Sequence, residues 1–317
     1  MVLKELIEVI DLVDGPDGGR TRLKDYFLSK GLGPEEVCLT EVSGDKGKTT
    51  FIKLTIAGQK GREGGGKAPT LGVVGRLGGL GARPHRLGLV SDADGALTAL
   101  AAAAYLAKMR LRGDHLAGDV VVATHLAPDS PIIPHEPVPF MGSFVSMEVM
   151  NRYEVDPAME AILSIDTTRG NRVINQRGFA ISPTVKEGYI LRVSEDLLSL
   201  MEVVTGRMPV VFPLTTQDIT PYGNGLYHLN SIMQPATATS APVVGVAITS
   251  EVPIPGCATG ATQIMDLEAA VRFVVEVAKA YGEGRCSFYD ALEFKRLLSL
   301  YGPMNHLQTK GQNPENH

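Results

Sequence analysis

Apolar residues along the chain follow two periods, one typical of helices and one typical of buried strands. Residues 3–13 carry leucine, isoleucine and valine at helical spacing and stop at the Gly15-Pro16 turn, which predicts a first helix. The same spacing predicts further helices over residues 21–30, 96–111, 196–205, 266–281 and 287–301. Gly31 and Gly206, which directly follow two of these segments, are typical helix ends.

Short, continuous apolar runs predict strands that are buried on both faces of a sheet. They cover residues 71–74, 120–124, 162–165, 210–213 and 243–248. Residues 37–42 and 50–56 instead alternate, which predicts a hairpin with its turn at 44–47. Helices that alternate with buried strands predict an α/β fold of three layers, with a mostly parallel central sheet and helices on both faces. We expect one domain over residues 1–303 and a flexible tail over 304–317.

Composition and charge exclude several classes of partner and indicate the cellular compartment. The net charge is −5 and the chain has no dense block of lysine and arginine, which argues against nucleic acid or an anionic membrane as a partner. Cys38, Cys257 and Cys286 are far apart and odd in number, so a disulfide framework is not expected. Charged residues interrupt the N-terminal apolar segment, and no apolar run reaches about 18 residues. We expect a cytoplasmic monomer or simple homo-oligomer that takes a small molecule.

Acidic residues follow three of the predicted strands or open the helix after them. Asp92 precedes the Gly95 that begins an alanine-rich helix, Asp129 follows the strand over 120–124, and Asp166 ends the strand over 162–165. The carboxyl ends of the strands in an open α/β sheet face one crevice, where such folds bind ligands. Three carboxylates at that crevice predict a divalent metal site. The alternative is that Asp92 only caps its helix.

Histidines near the same crevice are candidates for the remaining ligands. His125 lies just before Asp129, and His228 follows a glycine-rich loop. Imidazole together with carboxylate favours Zn²⁺, with Mn²⁺ or Fe²⁺ as alternatives. His135 and Glu136 lie in a proline-rich loop and are the candidate catalytic residues, with Glu136 as the proton shuttle. A loop histidine that is simply hydrogen-bonded or solvated is the alternative for each imidazole.

Basic and amide side chains around the predicted strand ends are candidates for holding a substrate carboxylate. Arginine binds carboxylates with two parallel hydrogen bonds, so several converging side chains would form an anion site. The candidates are Arg76, Arg83, Arg169, Lys186 and Asn224. Salt bridges to the nearby acids are the alternative interpretation of the charged ones. A weaker hypothesis is a lyase or racemase that uses Cys257, with His228 as base, or Lys186.

The order of these elements resembles that of the co-catalytic zinc peptidases and deacylases, the di-zinc aminopeptidase and amino-acylase type. The resemblance implies a zinc-exopeptidase-like fold in which Asp92 bridges two metals and Asp166 is a ligand. It also places Pro128 and Asp129 where those families carry a base glutamate and a ligand glutamate. The first strand ends in Arg76-Leu77-Gly78 rather than His-x-Asp, and the stretch over 254–263 lacks the family's last histidine.

Three further stretches resemble a different family. The segments GARPHRLGLVSDADGA, SIDTTRGNRVINQRGFAISPTVKEGYIL and TTQDITPYGNG are similar to an uncharacterised prokaryotic family, a domain of unknown function. The favoured hypothesis is a metal-dependent hydrolase of amide bonds in small peptides or N-acyl amino acids. The alternative is a non-catalytic pseudo-peptidase that binds a small anionic metabolite or a partner in the same crevice.

Overall fold

A mixed sheet of nine strands forms the centre of the computed structural model, which describes residues 2–44 and 46–311. The strands are β1 (Val37–Ser43), β2 (Lys48–Ile56), β3 (Leu71–Gly75), β4 (Val120–Leu126), β5 (Ile132–Ile133), β6 (Phe140–Met141), β7 (Ala161–Thr168), β8 (Gly178–Ile181), β9 (Val185–Lys186), β10 (Tyr189–Ile190) and β11 (Val243–Thr249). The helices are α1 (Leu3–Val13), α2 (Arg20–Ser29), α3 (Asp94–Leu111), α4 (Met147–Glu154), α5 (Glu195–Thr205), α6 (Ile264–Gly282) and α7 (Ala291–Tyr301).

The sheet has a parallel centre and antiparallel flanks. Its order is β1-β2-β4-β3-β7-β11-β9-β10, with β8 paired to β11 and the β5–β6 hairpin separate. The pairs β4–β3, β3–β7 and β7–β11 are parallel, whereas the β1–β2 hairpin and β8 run antiparallel to their neighbours. The α/β class is therefore confirmed, with a sheet that is mixed and parallel only at its centre.

Helices cover one face of the sheet, and the other face is covered more lightly. The larger apolar core contains α1, α3, α5 and α6 packed on the inner strands. On the opposite face, a smaller core joins the strands to a 3-10 helix over Ser231–Thr237, which α4 also contacts. Every residue of β3, β4 and β11 is buried, as their continuous apolar sequences predict.

Most predicted elements are found close to their predicted bounds, but the strand predicted over 210–213 is wrong. Val211 makes only an isolated bridge to Ile181 at the end of β8. Pro209 precedes this segment and Pro213 is its last residue, and proline lacks the amide proton that a longer ladder needs. The hairpin turn at 44–47 is closed by the Gly44 amide on the Gly47 carbonyl oxygen, although Asp45 lies outside the described residues.

The C-terminal segment packs against the body of the molecule as far as it is described. A short 3-10 helix covers Asn305–Gln308, and the Gln308 amide donates to the carbonyl oxygens of Ala236 and Thr239. Residues 312–317, which also belong to the predicted flexible tail, lie outside the described residues. Within the described part, no helix combines the length and apolar character that a membrane crossing requires.

Candidate functional site

Two buried aspartates lie together at the carboxyl edge of the parallel strands. Asp166 is near the end of β7, and Asp92 lies in the short 3-10 helix Ser91–Ala93 that leads into α3. The Thr167 hydroxyl joins the two segments by donating to the Ser91 carbonyl oxygen at 3.2 Å. Asp92 is 8% exposed and Asp166 is 2% exposed. We call these two residues the carboxylate pair.

The two carboxylates have different partners. Asp166 accepts hydrogen bonds from the Thr167 amide at 2.7 Å and from the Ser231 hydroxyl at 3.0 Å. The Asp92 carboxylate accepts none from the described residues. Its two oxygens instead lie near Gly79 and Gly256, where an added Cβ would come within 3.0 and 3.3 Å of them. Small residues thus leave space around an unpartnered acid.

Electrostatics separate the carboxylate pair from ordinary surface acids. Burial raises the pKa of Asp92 well above its usual range, and the negative charge of Asp166 raises it further. Burial also raises the pKa of Asp166 to about 6, although the hydrogen bonds from Thr167 and Ser231 oppose the rise. In the absence of a ligand, two buried negative charges would repel each other. The pair therefore favours binding of a cation or of a proton.

A buried ion cluster, made of Arg76, His125 and Glu154, lies beside Asp166. The Glu154 carboxylate, at the end of α4, accepts from Arg76 Nη1 at 2.5 Å and contacts His125 Nδ1 at 2.5 Å. The Gly78 amide donates to His125 Nε2 at 3.1 Å, which puts the imidazole proton on Nδ1, facing Glu154. The cluster compensates its own charges inside the core, so Arg76 is fully buried.

The buried ion cluster should make the free energy of unfolding depend on pH in the acidic range. Burial raises the pKa of Glu154, but the neighbouring Arg76 and His125 outweigh burial and hold it below the ordinary value of 4.5. The folded state therefore binds fewer protons than the unfolded state, so this stabilisation is complete above about pH 4.5 and is lost as the pH falls through the folded pKa. Urea unfolding from about pH 6 to 3 should show a shallower fall in Glu154→Gln than in wild type. Equal slopes would contradict this assignment.

Most of the chain, including both groups of buried charges, is similar to one known protein family. A family model described as "Protein of unknown function (DUF1177)" matches residues 40–311. The chain belongs to this family. A search of curated proteins finds no match. The carboxylate pair and the buried ion cluster both lie within the part of the DUF1177 chain that the family model covers.

The predicted histidine ligands are not grouped around the carboxylate pair. Both ring nitrogens of His125 are occupied, by Glu154 and by the Gly78 amide, which leaves no lone pair for a metal. His228 lies in the loop before Ser231 and stacks on Tyr222 with ring centroids 4.5 Å apart. Its Nε2 is 3.2 Å from the Thr220 hydroxyl, and its Nδ1 is 3.0 Å from a backbone carbonyl oxygen. The imidazoles of His125 and His228 are therefore both engaged by protein partners.

The residues predicted as an acid–base pair and as a third acidic ligand lie on the surface. His135 and Glu136 are exposed between β5 and β6, and the His135 ring packs edge-on against Phe140 at 5.2 Å. Asp129 is also exposed, because β4 continues to Leu126 and the chain then turns. Its only strand-like contact among the described residues is an isolated bridge to Ala82.

The predicted substrate-binding side chains have structural partners, as the salt-bridge alternative expects. Arg76 belongs to the buried ion cluster, and Arg169 forms a buried ion pair with Asp94 at the start of α3. Arg83 Nη1 donates to the Pro128 carbonyl oxygen at 3.1 Å. Lys186 lies on β9, towards the far edge of the sheet, and donates to Glu187 and to the Ser240 carbonyl oxygen. Asn224 donates to the Thr220 hydroxyl at 2.8 Å.

A residue that sequence reasoning missed, Tyr222, lies beside Asp166. Burial raises the pKa of the Tyr222 phenol to about 12 and the charge of Asp166 raises it as well, whereas a hydrogen bond with Ser231 lowers it. The phenol therefore keeps its proton at neutral pH and remains a hydrogen-bond donor. The glycine-rich context of the loop drew attention to Asn224 and His228, and nothing in the sequence marked the aromatic ring two positions earlier.

One buried carboxylate holds the loop that carries Tyr222. Asp218 accepts hydrogen bonds from the Thr215 amide and hydroxyl, both at 2.8 Å, and from the Leu229 amide at 2.7 Å. The Asn230 amide donates to the same carboxylate at 2.9 Å. Both ends of the loop are therefore fastened to one side chain. Ser231, which follows directly, is in turn fixed for its contact with Asp166.

The donor set limits what the site can hold. Among residues 2–44 and 46–311, no group of three or more histidine, cysteine, aspartate or glutamate side chains is arranged to bind a metal. The carboxylate pair supplies two acidic ligands, and Asp92 has no competing hydrogen bond from the described residues. This set fits a hard cation that keeps water or substrate oxygen in its other positions. It does not fit the closed four-ligand shell of a structural zinc ion.

Proposed function

We propose that this DUF1177 protein is a divalent-cation-dependent hydrolase of C–N bonds in small molecules, with the cation held by Asp92 and Asp166. The observation that carries the proposal is the unpartnered, buried Asp92 carboxylate beside Asp166. A buried charge without a partner costs several kcal/mol, so a site that keeps the unpartnered Asp92 beside a second buried carboxylate favours a positive ligand. The resemblance to co-catalytic zinc peptidases also makes both aspartates ligands, but it implies two metals bridged by Asp92, whereas the proposal has one cation that both aspartates hold.

The chemistry of the ligands favours Mg²⁺ or Mn²⁺ over the Zn²⁺ expected from the sequence. Mg²⁺ is commonly bound through one or two carboxylates, with water and substrate oxygens completing its shell. Zinc in catalytic sites usually takes three protein ligands, with histidine prominent among them, and both candidate histidines are engaged elsewhere. When bound, the cation would polarise a substrate carbonyl and lower the pKa of a bound water.

The protein's own residues have separable roles in this proposal. The Thr167 amide and the Ser231 hydroxyl hold Asp166 in one orientation by donating to its two carboxylate oxygens, and each oxygen keeps a lone pair for a cation. The protonated Tyr222 phenol, which is beside Asp166, would donate a hydrogen bond to a substrate oxygen. Pro128 stands where the co-catalytic zinc peptidases carry their base glutamate, and proline cannot accept a proton. In this proposal a carboxylate of the pair would therefore remove the proton.

A second candidate is a binding protein without turnover, and one observation favours it. The described residues supply only two acidic ligands at the crevice, and the arginines predicted to hold an anion are engaged elsewhere. Two buried carboxylates repel an anionic metabolite and attract an organic ammonium group. A non-catalytic form of this site would therefore bind an amine rather than the anion expected from the sequence.

Cation titration distinguishes these functions. Protein stripped with chelator should bind Mg²⁺ or Mn²⁺ in calorimetry and gain thermal stability, because a ligand of the folded state shifts unfolding. Asp92→Asn and Asp166→Asn should each weaken binding by at least about tenfold. Asp129→Asn, which removes an exposed acid from the same edge of the sheet, should leave it unchanged.

The opposite results are equally informative. If neither metal stabilises the protein, or if the two buried variants bind as well as Asp129→Asn, the proposed hydrolase is wrong. Stabilisation by a small primary amine, lost in Asp92→Asn, would then support the binding protein. Once a cation is established, turnover is tested on dipeptides and N-acyl amino acids, with Tyr222→Phe expected to lower kcat while leaving cation affinity intact.

A further inference from the structure

A cavity of about 380 Å³ lies between the end of α5, the start of α6 and β8. None of its lining residues belongs to the carboxylate pair or to the buried ion cluster. Two buried side chains, Phe179 and Met201, line it. Two exposed methionines, Met208 at 80% and Met265 at 61% exposure, also line it. Methionine adapts its shape to apolar ligands, so these walls suit a flexible hydrocarbon.

Three arginines line the same cavity, and they are unequally neutralised. Arg272 Nε is 2.9 Å from Glu268, and Arg272 also donates to the Val204 carbonyl oxygen at the end of α5. Arg177 Nε is 3.5 Å from Asp266. Arg207 has no acidic partner among the described residues. Three positive charges against Glu268 and Asp266 leave a net charge of +1, and it resides on Arg207.

The carboxylate of Asp266 is the one lining group that would oppose an anion. Its charge is already shared, because it faces Arg177 and also the buried Arg169. The Arg177–Asp266 distance of 3.5 Å is long for a direct charge-assisted hydrogen bond. Arg177 can therefore turn towards a ligand without breaking a tight pair.

We propose that this cavity binds an amphipathic anion, which is a carboxylate or phosphate head group on a short apolar chain. Its volume lies within the range of about 300–1,000 Å³ that small-molecule sites occupy, and such sites combine apolar walls with a few placed polar groups. Arg207 and Arg177 bind the head group, for which the planar guanidinium offers paired donors. Phe179, Met201 and the two exposed methionines cover the chain. This inference is independent of the proposed hydrolase.

Calorimetry on the full chain tests the site with octanoate and octyl phosphate as probes. Arg207→Ala removes the unneutralised charge from an exposed position, and we expect it to weaken binding by about tenfold or more. Ala269→Phe fills the cavity from α6 without changing a charge, and it should also abolish most of the binding. Arg285→Ala, an exposed arginine outside the cavity that pairs with Glu283, is the matched control and should bind as wild type does.

The identity of the head group follows from which probe binds more tightly. Preference for octanoate identifies a carboxylate ligand, and preference for octyl phosphate identifies a phosphate ligand. Three results would overturn the proposal: no binding of either anion to the wild-type protein, equal affinity in wild type and Arg207→Ala, or equal binding of octylammonium. The last would show that only the apolar walls matter.

Discussion

Replacing Glu154 with glutamine should lower the free energy of unfolding by about 3–5 kcal/mol. The substitution removes the negative charge that Arg76 and His125 share, and it leaves the guanidinium of Arg76 uncompensated at a fully buried position. Urea unfolding measures the loss. Glu148→Gln is the matched control, because Glu148 lies on the same helix but is exposed and pairs only with Arg152 at 3.7 Å. Its effect should stay below about 1 kcal/mol.

A double substitution separates the charge from the shape of the side chains. Arg76→Met combined with Glu154→Gln removes both ionic partners, so it should recover part of the stability that Glu154→Gln alone loses. The recovery is expected because removing one partner of a buried ion pair leaves an uncompensated charge and strongly lowers the free energy of unfolding. Replacing both partners with uncharged side chains leaves no such charge. If Glu154→Gln costs no more than the Glu148→Gln control, the cluster is solvated rather than buried.

Gly95→Ala should destabilise the fold and abolish cation binding at the carboxylate pair, although alanine is the better helix former. A Cβ at Gly95 would lie 2.7 Å from the carbonyl oxygens of both Arg76 and Ile165. Neither backbone atom can move without displacing β3 or β7, so α3 must shift. Helix propensity favours alanine by about 1 kcal/mol, whereas overpacking of this kind costs about 1–3 kcal/mol or more. Steric repulsion should therefore outweigh helix propensity, and Gly95→Ala should lower the free energy of unfolding.

Thermal unfolding with and without Mg²⁺ checks both parts of this prediction. Gly64→Ala is the control, because the nearest atom to its added Cβ is 4.0 Å away and the residue is in a 3-10 helix that precedes β3, whereas the carboxylate pair lies after the parallel strands. It should leave stability and cation response unchanged. A Gly95→Ala protein that is more stable than wild type would mean that α3 does not approach the strands so closely. A destabilised variant that still binds the cation would separate the helix contact from the site.

The sequence predicts the inner strands and long helices well because their apolar patterns are strong. β3, β4, β7 and β11 begin within one residue of the predicted positions, since the first residues of each strand are almost all apolar, as burial between two layers requires. The helix α4 was missed because it has only eight residues, about two turns, which is too short for a clear helical repeat of apolar positions. Glu154 closes that helix, and its partner Arg76 is 78 residues away, so no local pattern could join them.

The candidate site was predicted in part, and the reason is topological. Asp92 and Asp166 come together because β3 and β7 are parallel neighbours, which the order of elements allows one to anticipate. Asp129 also follows a parallel strand, β4, but the chain turns after that strand and places Asp129 on the surface. The positions of arginines near strand ends are visible in the sequence, whereas their partners come from distant segments. Charge alone could not distinguish a ligand-binding arginine from a structural one.

The attachment of a whole loop to Asp218 has a consequence for access to Asp166. Residues 215–230 contain little regular structure, yet both ends converge on one carboxylate. The loop cannot fray from one end in small steps, since releasing either end breaks several charge-assisted hydrogen bonds together. It opens as a cooperative unit, in the sense of local unfolding, or it stays closed. A ligand that reaches Asp166 past Tyr222 would therefore contact a loop that is rigid between rare openings. Its residence time would follow the lifetime of the Asp218 hydrogen bonds.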